Sequence, residues 1–207
     1  MSGERPSHRL FASMYDAVTG PFERFVDEHR RYLARGASGD VLDVGAGTGA
    51  NFPYLDEAGA TVHAVEPDPH MRKRARRRAK RDGLDVEIRD GLADSLSYND
   101  AAFDRVVSAL VFCTVEDTEA ALDEFARVLR PGGEFRFVEH VGDDGVARCV
   151  QEAANPVWRR CAGGCRLDRD TVSTFEAHDA FETVEVDRFR GVPPVSPIVR
   201  GTLRVRN

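Results

Sequence analysis

The sequence predicts an α/β chain built on a seven-stranded, mostly parallel sheet with helices on both faces and an antiparallel hairpin at its C-terminal end. Three observations point there. Short apolar runs alternate with helical stretches from residue 41 to 139, as in a sheet threaded by crossover helices. The first run enters a glycine-rich turn, Gly45-Ala-Gly-Thr-Gly49. The last two runs, Phe181 to Phe189 and Ile198 to Arg206, are joined by the proline-rich, non-helical segment Gly191 to Pro197.

The elements follow in order. Residues 8–35 read as helical with a break at Gly20-Pro21, and Phe22, Phe25, Val26, His29 and Leu33 recur at helical spacing before Gly36-Ala-Ser-Gly39 ends the pattern. Val41 to Val44 is a short apolar run closed by glycines, which suits a buried parallel strand. Residues 61–65, 84–89, 104–109 and 133–139 are the next strands. Helices at about 50–58, 68–82 and 117–130 separate most of them. The last is capped by Asp117-Thr118 and stopped by Arg130-Pro-Gly-Gly133. Beyond residue 145 the alternation loosens into a helical insertion at 145–162 and a short helix at 170–178.

Composition sets the outer bounds. A chain of 207 residues, 42% hydrophobic and 31% charged, fits one globular domain with a full core. No apolar stretch approaches the roughly 20 residues of a spanning helix, and MSGERPSHRL lacks the apolar core of a secretion signal. Cys113, Cys149, Cys161 and Cys165 are too few for a disulfide scaffold, so a reducing cytoplasm is the expected setting. A net charge of −6 argues against general nucleic-acid binding. Arg72 to Arg81 nevertheless holds eight basic residues in ten, and without interleaved aromatics it reads as a solvated helix face.

The glycine turn carries the strongest chemistry. Strand, Gly45-x-Gly47-x-Gly49, then helix lets backbone approach a ligand without Cβ interference. Gly45-x-Gly47-x-x-Ala50 also satisfies the dinucleotide fingerprint, so the turn alone does not name the ligand. Asp43 shifts the balance. At the carboxyl end of its strand it would repel a pyrophosphate and favour an ammonium, such as that of S-adenosyl-L-methionine. Glu66 ends the second strand, where a carboxylate can accept both ribose hydroxyls of either cofactor.

The chain resembles the class I S-adenosylmethionine-dependent methyltransferases through VLDVGAGTG (41–49), VEPD (65–68), GLADSL (91–96), FDRVV (103–107) and RVLRPGGEFRF (127–137). The LRPGG run before the fifth strand belongs to that family and not to dehydrogenases. GAGTGANF (45–52), SALVFCTVED (108–117), FVEH (137–140) and NPVWRRCAGGCRLDRDT (155–171) are further similar to a group that methylates alkyl thiols at membranes. Those relatives carry an apolar N-terminal anchor, whereas this N-terminus is polar, and that leaves membrane contact at most peripheral.

The resemblance implies a Rossmann-like fold filling residues 1–207, with a helical lid at 1–36, a cofactor-binding core at 37–144, and a substrate-side insertion and closing hairpin at 145–207. It implies that Asp43, Gly45, Ala46, Gly47 and Gly49 surround the methionine moiety, with Glu66 at the ribose and Pro67 and Asp68 beside the adenine. Leu92, Ala93 and Asp94 match the loop that closes on the adenine ring, and Leu110 the residue near the sulfonium. Glu139 and His140 end the fifth strand, where either could take a proton from an acceptor. Val111, Phe112 and Trp158, with Tyr15 of the lid beside Phe11, Met14 and Asp16, are the expected walls of an apolar acceptor pocket. The acceptor expected first is a small thiol. A quinone or lipid amine comes behind it, then RNA gripped by the arginine helix, and a nicotinamide-binding module stands as the contrasting class. Cys161-Ala-Gly-Gly-Cys165 falls short of a structural zinc motif and reads as packing.

Overall fold

A strand buried on both faces sends alternate side chains into opposite layers, and the central strands of this chain do so. The computed structural model describes residues 23–190 and 196–206. Its strands are β1 (Gly39–Val44), β2 (Ala60–Val65), β3 (Val86–Arg89), β4 (Phe103–Ala109), β5 (Leu129–His140), β6 (Phe181–Phe189) and β7 (Ile198–Val205). They form one sheet in the order β3-β2-β1-β4-β5-β7-β6, with β7 antiparallel to both its neighbours. The helices are α1 (Glu23–Ala34), α2 (Phe52–Glu57), α3 (Pro69–Asp82), α4 (Thr118–Val128), α5 (Gly145–Cys161) and α6 (Thr171–Ala177).

Alternation divides the core in two. Leu42, Val106 and Phe137 pack with Leu122 and Phe125 of α4 and Phe175 of α6. Val41, Val107 and Val138 point the other way, onto Leu33 of α1, Phe52 and Leu55 of α2, and Ala75 and Ala79 of α3. The order reverses between β1 and β4, so their carboxyl ends open the crevice where sheets of this kind take ligands. His29 and Leu33 are buried on α1 at the spacing expected of them. Tyr15, the other lid residues named above, Phe22 and the Gly191–Val195 part of the hairpin connection lie outside the described residues, as do the side chains of Phe25, Val26 and Cys161.

One boundary differs from expectation for a local reason. Helix α4 stops at Val128, and Arg130-Pro-Gly-Gly133 is taken into β5 as an irregularity in the β4–β5 register, where Phe103 faces Leu129 but Arg105 faces Glu134. Gly133 is required there, since a Cβ would lie 2.9 Å from the Arg130 carbonyl oxygen and 3.1 Å from that of Asp104. The arginine helix α3 keeps the expected solvated face, with Lys73, Arg76, Arg77, Lys80 and Arg81 exposed, and adds to it that three arginines also reach backbone carbonyls. Arg72 donates to the Glu66 and Pro67 carbonyls, Arg76 to that of Ile88 and Arg78 to that of Thr48.

Phe112 is corrected from pocket wall to core. It is fully buried, with its ring 4.6 Å from Phe175 and 5.7 Å from Phe125, both edge-on. The loop after β4 turns this side chain under the sheet edge and away from the crevice. Phe112→Ala is therefore expected to lower unfolding stability by about 3–5 kcal/mol in urea denaturation, the range for deleting a buried ring. A loss under about 1 kcal/mol would return Phe112 to the pocket wall.

Candidate active site

The site is built from five strand ends and the loops that follow them. After β1 the chain makes three left-handed turns, at Gly45 (φ 66°), Gly47 (φ 57°) and Gly49 (φ 76°). Side chains resist this conformation, which is why glycine recurs. The amides of Gly45 and Ala46 donate to the Val65 carbonyl at 2.9 and 3.1 Å. The Gly47 amide donates to Glu66 Oε2 at 2.8 Å, so the loop hangs from the end of β2. A Cβ on Gly45 would lie 2.6 Å from Val111, while one on Gly47 would meet nothing nearer than 4.0 Å. The turn thus packs against the β4 loop at Gly45 and stays open at Gly47.

Two carboxylates flank this turn. Glu66 is buried and its second oxygen, Oε1, accepts the Asp68 amide at 2.8 Å. Burial pushes its carboxyl above the usual range, and the Asp68 and Gly47 amides oppose the rise. Asp68 in turn caps α3, accepting from the His70 and Met71 amides at 2.7 and 3.2 Å. Asp43 differs from expectation. It does not open onto the crevice but is wholly buried beneath the loop, accepting from Asn51 Nδ2 at 3.1 and 3.3 Å. Burial raises its pKa to about 7, with the Glu66 charge adding to the rise and Asn51 opposing it.

Leu92, Ala93 and Asp94 form a half-buried turn after β3, closed by the Ser95 amide donating to the Leu92 carbonyl at 3.2 Å. A Cβ on Gly91 would sit 3.4 Å from Val65, so this turn lies against the end of β2, beside the glycine loop. Leu110 follows β4 at φ 58°, a conformation uncommon for a residue with a branched side chain, and its side chain stays 37% exposed. Such strain concentrates at functional sites. The Leu110 amide donates to Val138 at 2.8 Å, which holds the strained residue over the β4–β5 edge.

At the end of β5, Glu139 is fully buried. Its Oε1 accepts from the Val111 amide at 2.9 Å and the Ser108 hydroxyl at 3.4 Å, while Oε2 has no partner. Burial raises its pKa to about 7 against the Val111 hydrogen bond. His140 is buried with Nε2 3.0 Å from Cys165 Sγ, and Nδ1 lacks a partner. Trp158 is half-buried and donates from Nε1 to the same sulfur at 3.2 Å. The Cys165 thiol is held below its ordinary range by the Cys113 contact, then by His140, while Cys113 is pushed up by Cys165 and burial.

The structure thus gathers the glycine loop, Glu66, the 92–94 turn, Leu110 and Val111 at the β1–β4 crevice, with Asp43 buried beneath the loop. Glu139 reaches the same loop through Val111. His140 and Trp158 turn to a sulfur centre instead, which the sequence reading assigned to packing. The contacts of Asn51 with Asp43, and of Cys165 with His140 and Trp158, were not foreseen, since Cys113 and Cys165 read as packing in the sequence. Cys113 and Cys165 lie too far apart in the chain for any spacing rule to join them.

The model of a methyltransferase domain family matches residues 42–137. The human thiol S-methyltransferase TMT1B is 35% identical over 161 residues, covering 74% of this chain and 65% of that protein, so the chain spans slightly less than two thirds of it. Mouse TMT1B is 34% identical over 179 residues, covering 81% of this chain and 72% of the relative. The crystal structure of the N-methyltransferase NodS from Bradyrhizobium japonicum superposes with a TM-score of 0.68 at 22% identity, over 90% of this chain and 98% of that one, a likeness of fold alone. With the glycine turn, the switch-point crevice and the closing hairpin already described, these matches make the chain an enzyme belonging to the class I methyltransferase family.

Proposed function

We propose that the enzyme transfers a methyl group from S-adenosyl-L-methionine to an apolar small-molecule acceptor, a thiol first among them. One observation carries the cofactor half. The glycine turn is left-handed at Gly45, Gly47 and Gly49, hung from Glu66, and open where a Gly47 side chain would otherwise stand. The residues fit the group. Gly47 gives backbone access to the methionine moiety, Gly49 lets the turn close onto the Phe52 ring, and the buried Asp43 sets a negative potential under the ammonium. The spare lone pairs of Glu66 suit ribose hydroxyls, and the 92–94 turn suits an adenine edge. When bound, S-adenosyl-L-methionine supplies a methyl group activated on a sulfonium.

The chain's own part is positioning. Leu110 presents a half-exposed apolar side chain where the acceptor must approach, and Val111 fixes the distance between that loop and the glycine turn. Glu139 holds the Val111 amide through Oε1 and offers Oε2 to the acceptor's proton. A thiol ionises readily and its thiolate is strongly nucleophilic, so no stronger base is needed. Val146, Val150 and Val157 leave apolar surface exposed along α5, which suits an apolar acceptor or a peripheral membrane approach. Among the described residues no helix is long and apolar enough to cross a membrane. That the TMT1B relatives are thiol S-methyltransferases supports a thiol.

Two outcomes are expected. Alkyl thiols should turn over, and matched alcohols and amines at equal concentration should not. Turnover of a quinone, a lipid amine or RNA with none of any thiol would overturn the acceptor and leave methyl transfer standing. Cofactor affinity should also depend on pH in a set direction. With Asp43 at about 7 in the free enzyme, a bound cation favours its ionised form, so binding releases protons below that pH. Affinity then climbs toward pH 7 by up to roughly tenfold per unit. Calorimetry at pH 6 in buffers of different ionisation enthalpy measures the release, and Asp43→Asn should abolish it. No proton release from the parent enzyme would remove Asp43 from the cofactor's field.

A further inference from the structure

We infer that Cys113, His140 and Cys165 form a zinc-binding centre that joins the α5–α6 insertion to the carboxyl edge of the sheet. Cys113 lies in the loop after β4, His140 is the last residue of β5, and Cys165 sits in the turn after α5. The three potential donor atoms all lie within 4.8 Å of one another, and all three residues are buried. A tetrahedral zinc with sulfur at about 2.3 Å and nitrogen at about 2.0 Å places its ligand atoms roughly 3.5–3.8 Å apart. Side-chain adjustment of about an ångström therefore closes the set.

Chemistry and surroundings agree with the geometry. Two thiolates and a neutral imidazole balance a divalent charge, which lets such a centre sit out of water. Thiolate ligands select zinc over magnesium or calcium. Trp158 Nε1 already donates to Cys165 Sγ at 3.2 Å, as an outer hydrogen bond to a ligating sulfur does. The Arg166 amide donates to the Cys113 carbonyl at 3.1 Å, so backbone holds the two cysteine loops together independently of any ion. Three protein ligands leave one tetrahedral position for an exogenous ligand. The centre does not rest on the identity of the acceptor, and its readouts require no turnover.

The test is metal content and spectroscopy of the full chain. Protein supplied with zinc and dialysed against a weak chelator should retain about one zinc per chain. Cys113→Ser and Cys165→Ser should each lose it, and Cys149→Ser, at an exposed cysteine, should keep it. Because a core variant can fail to fold, the parent chain is also loaded with cobalt. It should show thiolate-to-cobalt charge transfer and the intense visible bands of a tetrahedral site. Metal below about a tenth of an equivalent, cobalt without thiolate bands, or zinc retained by the Cys113→Ser, Cys165→Ser double variant would each overturn the centre. So would a Cys113–Cys165 disulfide in protein isolated without oxidant.

Discussion

A carboxylate buried at the end of β2 organises the crevice. Glu66 accepts the Gly47 amide with one oxygen and the Asp68 amide with the other, joining the glycine loop to the start of α3. Asp68 is thereby held where it caps that helix, and Arg72 of the same helix returns to the Glu66 and Pro67 carbonyls. Arg78 closes the circuit by donating to Thr48 in the loop itself. Burying a charge is costly, and the raised pKa of Glu66 records that cost. The return is a loop whose left-handed turns are fixed before a ligand arrives, so little ordering is left for the binding step.

The second organising contact lies across the switch point. Glu139 grips the Val111 amide, and Val111 packs on Gly45, so β5, the β4 loop and the glycine turn are joined by one run of contacts. Leu110 is held in its strained conformation between those two anchors. On the far side of Glu139 the sulfur and imidazole groups bring in the α5–α6 insertion. The strand ends and the later chain thus meet through two polar anchors, Glu66 and Glu139.

Much of this was legible in the sequence because its signals are local. Alternating apolar runs, Asp117, the glycine turn and the acid ending β2 each speak through neighbouring residues, and the structure agrees with them. What was not legible depends on distant residues meeting. Asp43 reads as a crevice acid until Asn51 folds back over it. Phe112 reads as a pocket wall until α4 and α6 supply its partners. The arginine run reads as solvated and is so, but the backbone carbonyls that Arg72, Arg76 and Arg78 reach are displayed by no residue pattern. The Cys113, His140 and Cys165 group draws on three separate segments, which no local motif displays.

The central claim is that this crevice is built for a cationic methyl donor around Glu66. Titration calorimetry of the enzyme with S-adenosyl-L-methionine, its demethylated product and NAD, repeated on Glu66→Ala, tests it most directly. The first two should bind and NAD should not, and the variant should lose about 1–3 kcal/mol of affinity, the scale of hydrogen bonds to a charged group. Binding of NAD alone, or unchanged affinity in a folded Glu66→Ala, would contradict the account.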